Sequence, residues 1–186
     1  MNHSLRRAAF LDRDKTIIDD PGYLSDPDLV AALPGALDGL ALLRERGWML
    51  VLISNQAGVG RGLISPEAAA RVHDRFVELL AERGIALDGA YYCPHAPWDG
   101  CDCRKPQPGM LLRAARELRI DLARSVMIGD KLADVAAGRR AGCRTVRIAA
   151  GGPSGDEAPD EVPDYRAPNL LAAAHWIVDM LPEEAA

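Results

Sequence analysis

Short, mostly continuous apolar runs alternate along the chain with segments whose apolar residues recur at helical spacing. The runs Ala8 to Leu11, Trp48 to Ile53, Ala90 to Tyr92 (leading into Cys93), Ser125 to Ile128 and Thr145 to Ile148 all have strand length. The first four end at polar residues, glycine or cysteine; the last, which contains Arg147, ends before a glycine-rich stretch. A continuous rather than alternating run suits a strand covered by helices on both faces, as in a parallel sheet. Between the runs lie helix patterns. Pro34 to Arg46 places Leu37, Leu40, Ala41 and Leu43 on one side, with Gly47 as its stop. Ser65 and Pro66 open a second helix as N-cap and first helical residue, running to about Arg83 before Gly84. Pro108 to Leu118, Leu132 to Ala141 (closed by Gly142) and Pro168 to Leu181 complete the set.

This order predicts an α/β protein, a three-layer α/β/α arrangement around a mainly parallel sheet. Residues 1–186 read as a single domain, and the stretch Gly151 to Pro168, rich in Gly, Pro, Asp and Glu, reads as a surface loop. The hydrophobic share of 48% and charged share of 26% are those of a folded globular chain and exclude a disordered one. Aromatic residues are only 5%, so Ala, Leu, Val and Ile must build the core. Twenty-two basic against 27 acidic residues give a net charge of −5, which argues against a nucleic-acid partner. No apolar run approaches the roughly 20 residues of a membrane span. The N-terminus lacks a signal-peptide pattern, so the expectation is a cytoplasmic protein and a monomer, with neither membrane nor nucleic acid as partner.

In an open α/β sheet, ligands sit outside the carboxyl ends of the strands. The polar clusters all follow strands: Asp12-Arg13-Asp14, Ser54-Asn55-Gln56, the Cys/His cluster with Arg104-Lys105, and Gly129-Asp130-Lys131. They are expected to converge on one edge. Asp12 and Asp14 are two apart just past a strand, where one carboxylate can attack phosphorus and the other can move protons. Taken alone, the pair reads first as a turn cap, and the other clusters reverse that order. Two carboxylates repel a phosphate, so a divalent cation is expected, with Asp130 as a further oxygen ligand; Mg²⁺ suits such a set. Ser54, Asn55, Lys105, Arg104 and Lys131 supply the donors and cations that a phosphoryl group in transfer needs. Cys93-x-His95-x5-Cys101-x-Cys103 offers three thiolates and an imidazole, a closed tetrahedral shell for a structural Zn²⁺. Coincidental loop cysteines or a redox pair at Cys101 and Cys103 are the competing readings. Cys143, His73 and His175 read as packing or surface residues.

Phe10-Leu11-Asp12-Arg13-Asp14 resembles the first motif of the haloacid-dehalogenase-like phosphatases, and Ser54, Lys105 and Asp130 fall where the next three motifs would be. The zinc loop, with Arg104-Lys105-Pro106-x-Pro108-Gly109-Met110, is similar to that of the heptose-bisphosphate phosphatase branch. The histidinol-phosphate phosphatase branch is the rival. Gly58-Val59-Gly60-Arg61-Gly62, Pro108-Gly109-Met110 and Gly129-Asp130-Lys131-Leu132 favour the heptose side. The length of 186 residues leaves no room for a fused second enzyme.

The resemblance implies a Rossmann-like fold without a large cap domain, its zinc loop beside the active site. It implies Asp12 as nucleophile, Asp14 as general acid/base, and Ser54 and Lys105 as stabilisers of the phosphoryl group. Mg²⁺ would be held by Asp12, Asp14 (through its backbone carbonyl) and Asp130, with Lys131 adjacent, and Zn²⁺ by Cys93, His95, Cys101 and Cys103. Substrate contacts would come from Arg13, Asp20, Pro21, Gly22, Tyr23, Asn55, Gln56, Ala57 and Arg104. The substrate would be a sugar phosphate. In another class, the chain would be a non-catalytic zinc-stabilised module. One residue departs from the pattern: Lys15 stands where the family usually has glycine, so either the turn differs or Lys15 keeps an ordinary conformation.

Overall fold

The computed structural model describes residues 5–149 and 161–181. Six strands form one parallel sheet in the order β3-β2-β1-β4-β5-β6. These are β1 (Ala8–Leu11), β2 (Met49–Asn55), β3 (Gly89–Cys93), β4 (Val126–Gly129), β5 (Arg144–Ile148) and β6 (Tyr165–Ala167). The helices are α1 (Ala36–Glu45), α2 (Ala57–Gly60), α3 (Pro66–Ala81), α4 (Gly109–Leu118), α5 (Leu132–Ala141) and α6 (Leu170–Met180). The three-layer reading of the sequence holds. Every residue of β1 is buried, because alternate side chains face opposite helix layers: Ala9 and Leu11 pack with α1, α3 and α6, whereas Ala8 and Phe10 pack with α4 and α5.

Three differences from the sequence reading have local causes. Tyr165–Ala167, expected as loop, adds a sixth strand against β5. Three residues carry too little pattern to read as a strand, and Tyr165 stacks on Trp176 of α6, a contact 11 positions away in sequence. Gly151 to Asp160, the first part of that predicted loop, lie outside the described residues. β2 runs on to Asn55, so Ser54 and Asn55 are strand residues rather than loop residues. α2 is a single turn, too short for periodicity to reveal.

β1 is central, with β2 and β4 hydrogen-bonded on either side. The chain runs outward from β1 through β2 to β3 and then returns beside β1 as β4, which makes the carboxyl end of β1 the switch point of the sheet. At the opposite end, Arg7 stacks over the Trp48 ring and donates to the carbonyls of Arg46 and Leu181, closing the floor of the sheet.

α1 and α6 meet closely at Gly39. A Cβ built there would lie 2.8 Å from the backbone of Leu170. Overpacking of that kind costs about 1–3 kcal/mol. Gly39→Ala is therefore expected to lower the urea midpoint by that amount of stability without changing the slope; an unchanged midpoint would show that the two helices can slide apart freely.

Candidate active site

At the carboxyl ends of the central strands, a cleft of about 400 Å³ opens between the loop after β1, α2, the Cys/His loop and the start of α5. Asp12 follows β1 directly, and its backbone N–H still bonds the Ile128 carbonyl of β4 at 2.9 Å, so its position is set by the sheet. Lys105, carried by the loop between β3 and α4, reaches inward. Its Nζ donates to Asp12 Oδ1 at 2.8 Å and to the Ile53 carbonyl at 2.7 Å, and lies 2.6 Å from Asp134 Oδ1. Asn55 fixes this loop with both ends of its amide: Nδ2 donates to the Lys105 carbonyl at 3.0 Å and Oδ1 accepts the Lys105 N–H at 3.1 Å. Asn55, expected to contact substrate, thus lines the cleft while also bracing Lys105.

The structure adds Asp134, which the sequence reading missed. It stands in the first turn of α5, four residues after Asp130, and its Oδ2 accepts the Lys131 N–H at 3.0 Å. That Asp-x3-Asp spacing on a helix start was the available signal. Gly129 is required beside it: a Cβ there would lie 2.2 Å from Asp134 Oδ2. Oxygens of Asp12, Asp130 and Asp134 all fall within 4.8 Å of one another. Burial, with Asp134, Asp14 and Asp130 adding like charge against the opposing pull of Lys105, pushes Asp12 up to about 7. Burial and then Asp134 raise Asp130 to about 6. Burial alone would depress the Lys105 ammonium, but Asp12 and Asp134 outweigh it and hold it above the usual lysine range.

Three buried carboxylates crowd one buried ammonium, that of Lys105, with Lys131 also pulling on Asp130. Asp130 Oδ1 is buried without a hydrogen-bond partner. Both features fit a hard divalent cation at this point. The second cluster is soft. Cys93 Sγ lies 3.6 Å from both His95 Nδ1 and Cys101 Sγ, and Cys103 Sγ lies 3.3 Å from Cys93 Sγ and from His95 Nδ1. Three sulfurs and one ring nitrogen within 4.8 Å of one another are the donor set and spacing of a tetrahedral zinc site.

Asp14 faces the same cleft as Asp12, and so do Asp20, Pro21, Gly22, Tyr23, Gln56, Ala57, Arg104 and Lys131. Asp20 Oδ1 holds the loop by accepting the Gly22 and Leu24 N–H groups at 2.6 and 3.2 Å. Lys15, Arg61, Arg104, Lys105 and Lys131 give the lining five cations, although the whole chain is acidic. Ser54 is fully buried and accepts from Gln56 Nε2 at 2.9 Å beneath this surface. Arg13 is a correction to the sequence reading. It does not line the cleft; its guanidinium is buried behind Asp14. Adjacent residues in an extended segment point to opposite sides, so Asp14 and Arg13 cannot both face the substrate. Cys143 is buried in the core, and His175 is exposed on α6.

Fold and site together define a haloacid-dehalogenase-like phosphatase, an enzyme that hydrolyses phosphoric monoesters. The family described as HAD-hydrolase-like matches residues 102–173. A D-glycero-β-D-manno-heptose-1,7-bisphosphate 7-phosphatase of Photorhabdus laumondii is 45% identical over 159 residues, covering 81% of this chain and 85% of the relative. That of Yersinia pestis is 40% identical over 185 residues, covering 95% and 92%. The crystal structure of a D,D-heptose 1,7-bisphosphate phosphatase from B. bronchiseptica, complexed with magnesium and phosphate, superposes with a TM-score of 0.80 at 34% identity, covering 94% of this chain and 99% of that one. The chain belongs to the heptose-1,7-bisphosphate 7-phosphatase family. No helix among the described residues is long and apolar enough to cross a membrane.

Lys15 takes the conformation that glycine would take, with φ at +61°. The turn requires it: the N–H groups of Ile17 and Ile18 both bond the Arg13 carbonyl, and the Lys15 N–H bonds the Ile18 carbonyl at 2.9 Å. Its ammonium pairs with Asp19 at 2.5 Å, a partly exposed contact of small worth. A left-handed non-glycine residue costs about 1–2 kcal/mol. Lys15→Gly should raise stability by about 1 kcal/mol by relieving that cost, read as a higher thermal midpoint. A lower midpoint would mean that the Asp19 pair outweighs the backbone cost.

Proposed function

We propose that the chain removes the 7-phosphate of D-glycero-D-manno-heptose 1,7-bisphosphate by way of an aspartyl-phosphate on Asp12, in the synthesis of nucleotide-activated heptose. The observation that carries this reading is the pairing of Asp12 and Asp14 in one cationic cleft, with the Lys105 ammonium on Asp12 Oδ1. The names of the relatives support the heptose substrate.

The Asp12 carboxylate attacks phosphorus, forming an acyl-phosphate as the sugar oxygen leaves. Asp14 gives that oxygen its proton. A water molecule then loses a proton to Asp14 and attacks the acyl-phosphate, releasing inorganic phosphate and restoring Asp12. Lys105 and Ser54 hold charge and position around the transferring group, Lys105 through its contact with the nucleophile. Asp12, Asp130 and the main-chain carbonyl of Asp14 would hold Mg²⁺, which would supply the positive charge that lets an anionic nucleophile approach an anionic phosphate. Arg104, beside Lys105 on the cleft wall, has the planar fork suited to the phosphate that stays on the sugar. Zn²⁺ on Cys93, His95, Cys101 and Cys103 would hold the loop that delivers Arg104 and Lys105. The chain would act as a cytoplasmic monomer.

Asp12→Asn should fold normally and lose about a thousandfold or more of kcat, since an amide cannot form the acyl-phosphate. Phosphate release measured on heptose 1,7-bisphosphate and on histidinol phosphate with the wild-type chain tests the substrate. A higher kcat/KM on histidinol phosphate would replace the heptose reading.

The two metals should separate by behaviour. About one zinc per chain, measured by elemental analysis, should survive gel filtration, and Cys103→Ser should reduce both zinc content and the thermal midpoint. Magnesium should be lost on the column and be required in the assay, with a chelator abolishing turnover and added Mg²⁺ restoring it. Native protein free of zinc would rule out the structural site.

A further inference from the structure

Arg13 is one of the largest fully enclosed side chains in the structure and the only arginine in that group among the described residues. A guanidinium is not taken out of water at this depth without partners. Its partner is Asp14. Nε donates to Asp14 Oδ1 at 2.7 Å and Nη2 reaches Asp14 Oδ2 at 3.3 Å, so the planar fork spans both carboxylate oxygens. Gln56 Nε2 adds a further bond to Asp14 Oδ2 at 2.9 Å. On the far side lies a cavity lined by Arg13, Tyr92 and His73, where the Tyr92 hydroxyl pairs with His73 Nδ1 at 2.5 Å. Residues of α3 and β3 thus enclose the back of Arg13, while the front of Asp14 opens onto the cleft.

We propose that Arg13 is a positioning residue: backed by Tyr92 and His73, it fixes the plane of the Asp14 carboxyl for proton transfer. This rests on the assignment of Asp14 as general acid/base. A free aspartate at a cleft edge turns about two side-chain bonds. With both oxygens held from behind, the carboxyl meets the leaving oxygen in one orientation, and a proton moves efficiently only along a short, aligned hydrogen bond. Arg13 thereby acts on the acid step without touching substrate.

The test uses the leaving group as the readout, with the full chain and saturating Mg²⁺. kcat/KM reports the steps up to transfer of the phosphoryl group to Asp12. A sugar alkoxide needs a proton to leave, whereas p-nitrophenoxide does not. Asp14→Asn should therefore lose far more kcat/KM on heptose 1,7-bisphosphate than on p-nitrophenyl phosphate, by a factor of about a hundred or more. Arg13→Met should show the same bias at about tenfold or more, Arg13→Lys should recover part of it, and Tyr92→Phe, which keeps the buried ion pair, should show a weaker bias in the same direction. If Arg13→Met loses activity equally on both esters while Asp14→Asn keeps its bias, Arg13 is only structural and the proposal fails. If Arg13→Met does not fold, Tyr92→Phe decides on the same criterion. An unbiased Asp14→Asn would instead remove Asp14 from the acid role, and this proposal with it.

Discussion

The ammonium of Lys105 is buried at the meeting point of three separate parts of the chain. It bonds the carboxylate after β1, the Ile53 carbonyl of β2 and the carboxylate in the first turn of α5. Without a cation there, Asp12, Asp130 and Asp134 would face one another across less than 5 Å with their charges unopposed. Like charges packed that closely in a buried place would protonate or force the strand ends apart. The site exists as a geometry because one lysine holds two of the three acids, and the crowding left over is what a divalent ion answers.

The cysteine loop belongs to the same constraint. Cys103 lies two residues before Lys105, and the Asn55 amide grips the Lys105 backbone from β2. The soft-donor cluster gathers Cys93, His95, Cys101 and Cys103 of this loop, which carries the buried Lys105 charge. The Gln56 N–H also bonds the Cys93 carbonyl at 2.7 Å, tying the start of the Cys/His loop to the residue that touches both Asp14 and Ser54. Soft and hard donor sets thus stand on either side of one short stretch of backbone, each holding a different half of the cleft.

Behind the cleft, the second layer is as ordered as the first. Asp14 is held from the back by Arg13 and Gln56, Asp12 from the side by Lys105, and Asp134 by the N–H of Lys131, the N-cap residue of α5. None of these carboxylates depends on substrate for its orientation. Preorganisation of this kind is what lets a site stabilise charge without paying to rearrange at the moment of reaction.

The mostly continuous apolar runs determined the parallel sheet and its five longest strands, because a strand covered on both faces leaves few polar positions to confuse the pattern. The placement of Asp12, Ser54, Lys105 and Asp130 after or at the ends of those strands was enough to bring them to one edge, and the Cys/His spacing was enough to mark a loop whose three sulfurs and one ring nitrogen cluster. The direction of individual side chains was not legible. Arg13, adjacent to two acids that face the cleft, belongs to the second layer; Asn55 braces a loop as well as lining the cleft; Asp134 joins the site from a helix start that reads as ordinary capping. Lys15 takes a glycine conformation that no local preference would select. Periodicity reports which face of an element is apolar, and spacing reports which residues can share a neighbourhood. Which atom of a polar residue meets which partner is decided only when distant elements pack, since the cost of burying an unpaired charge falls on the assembled fold and not on the segment that carries it.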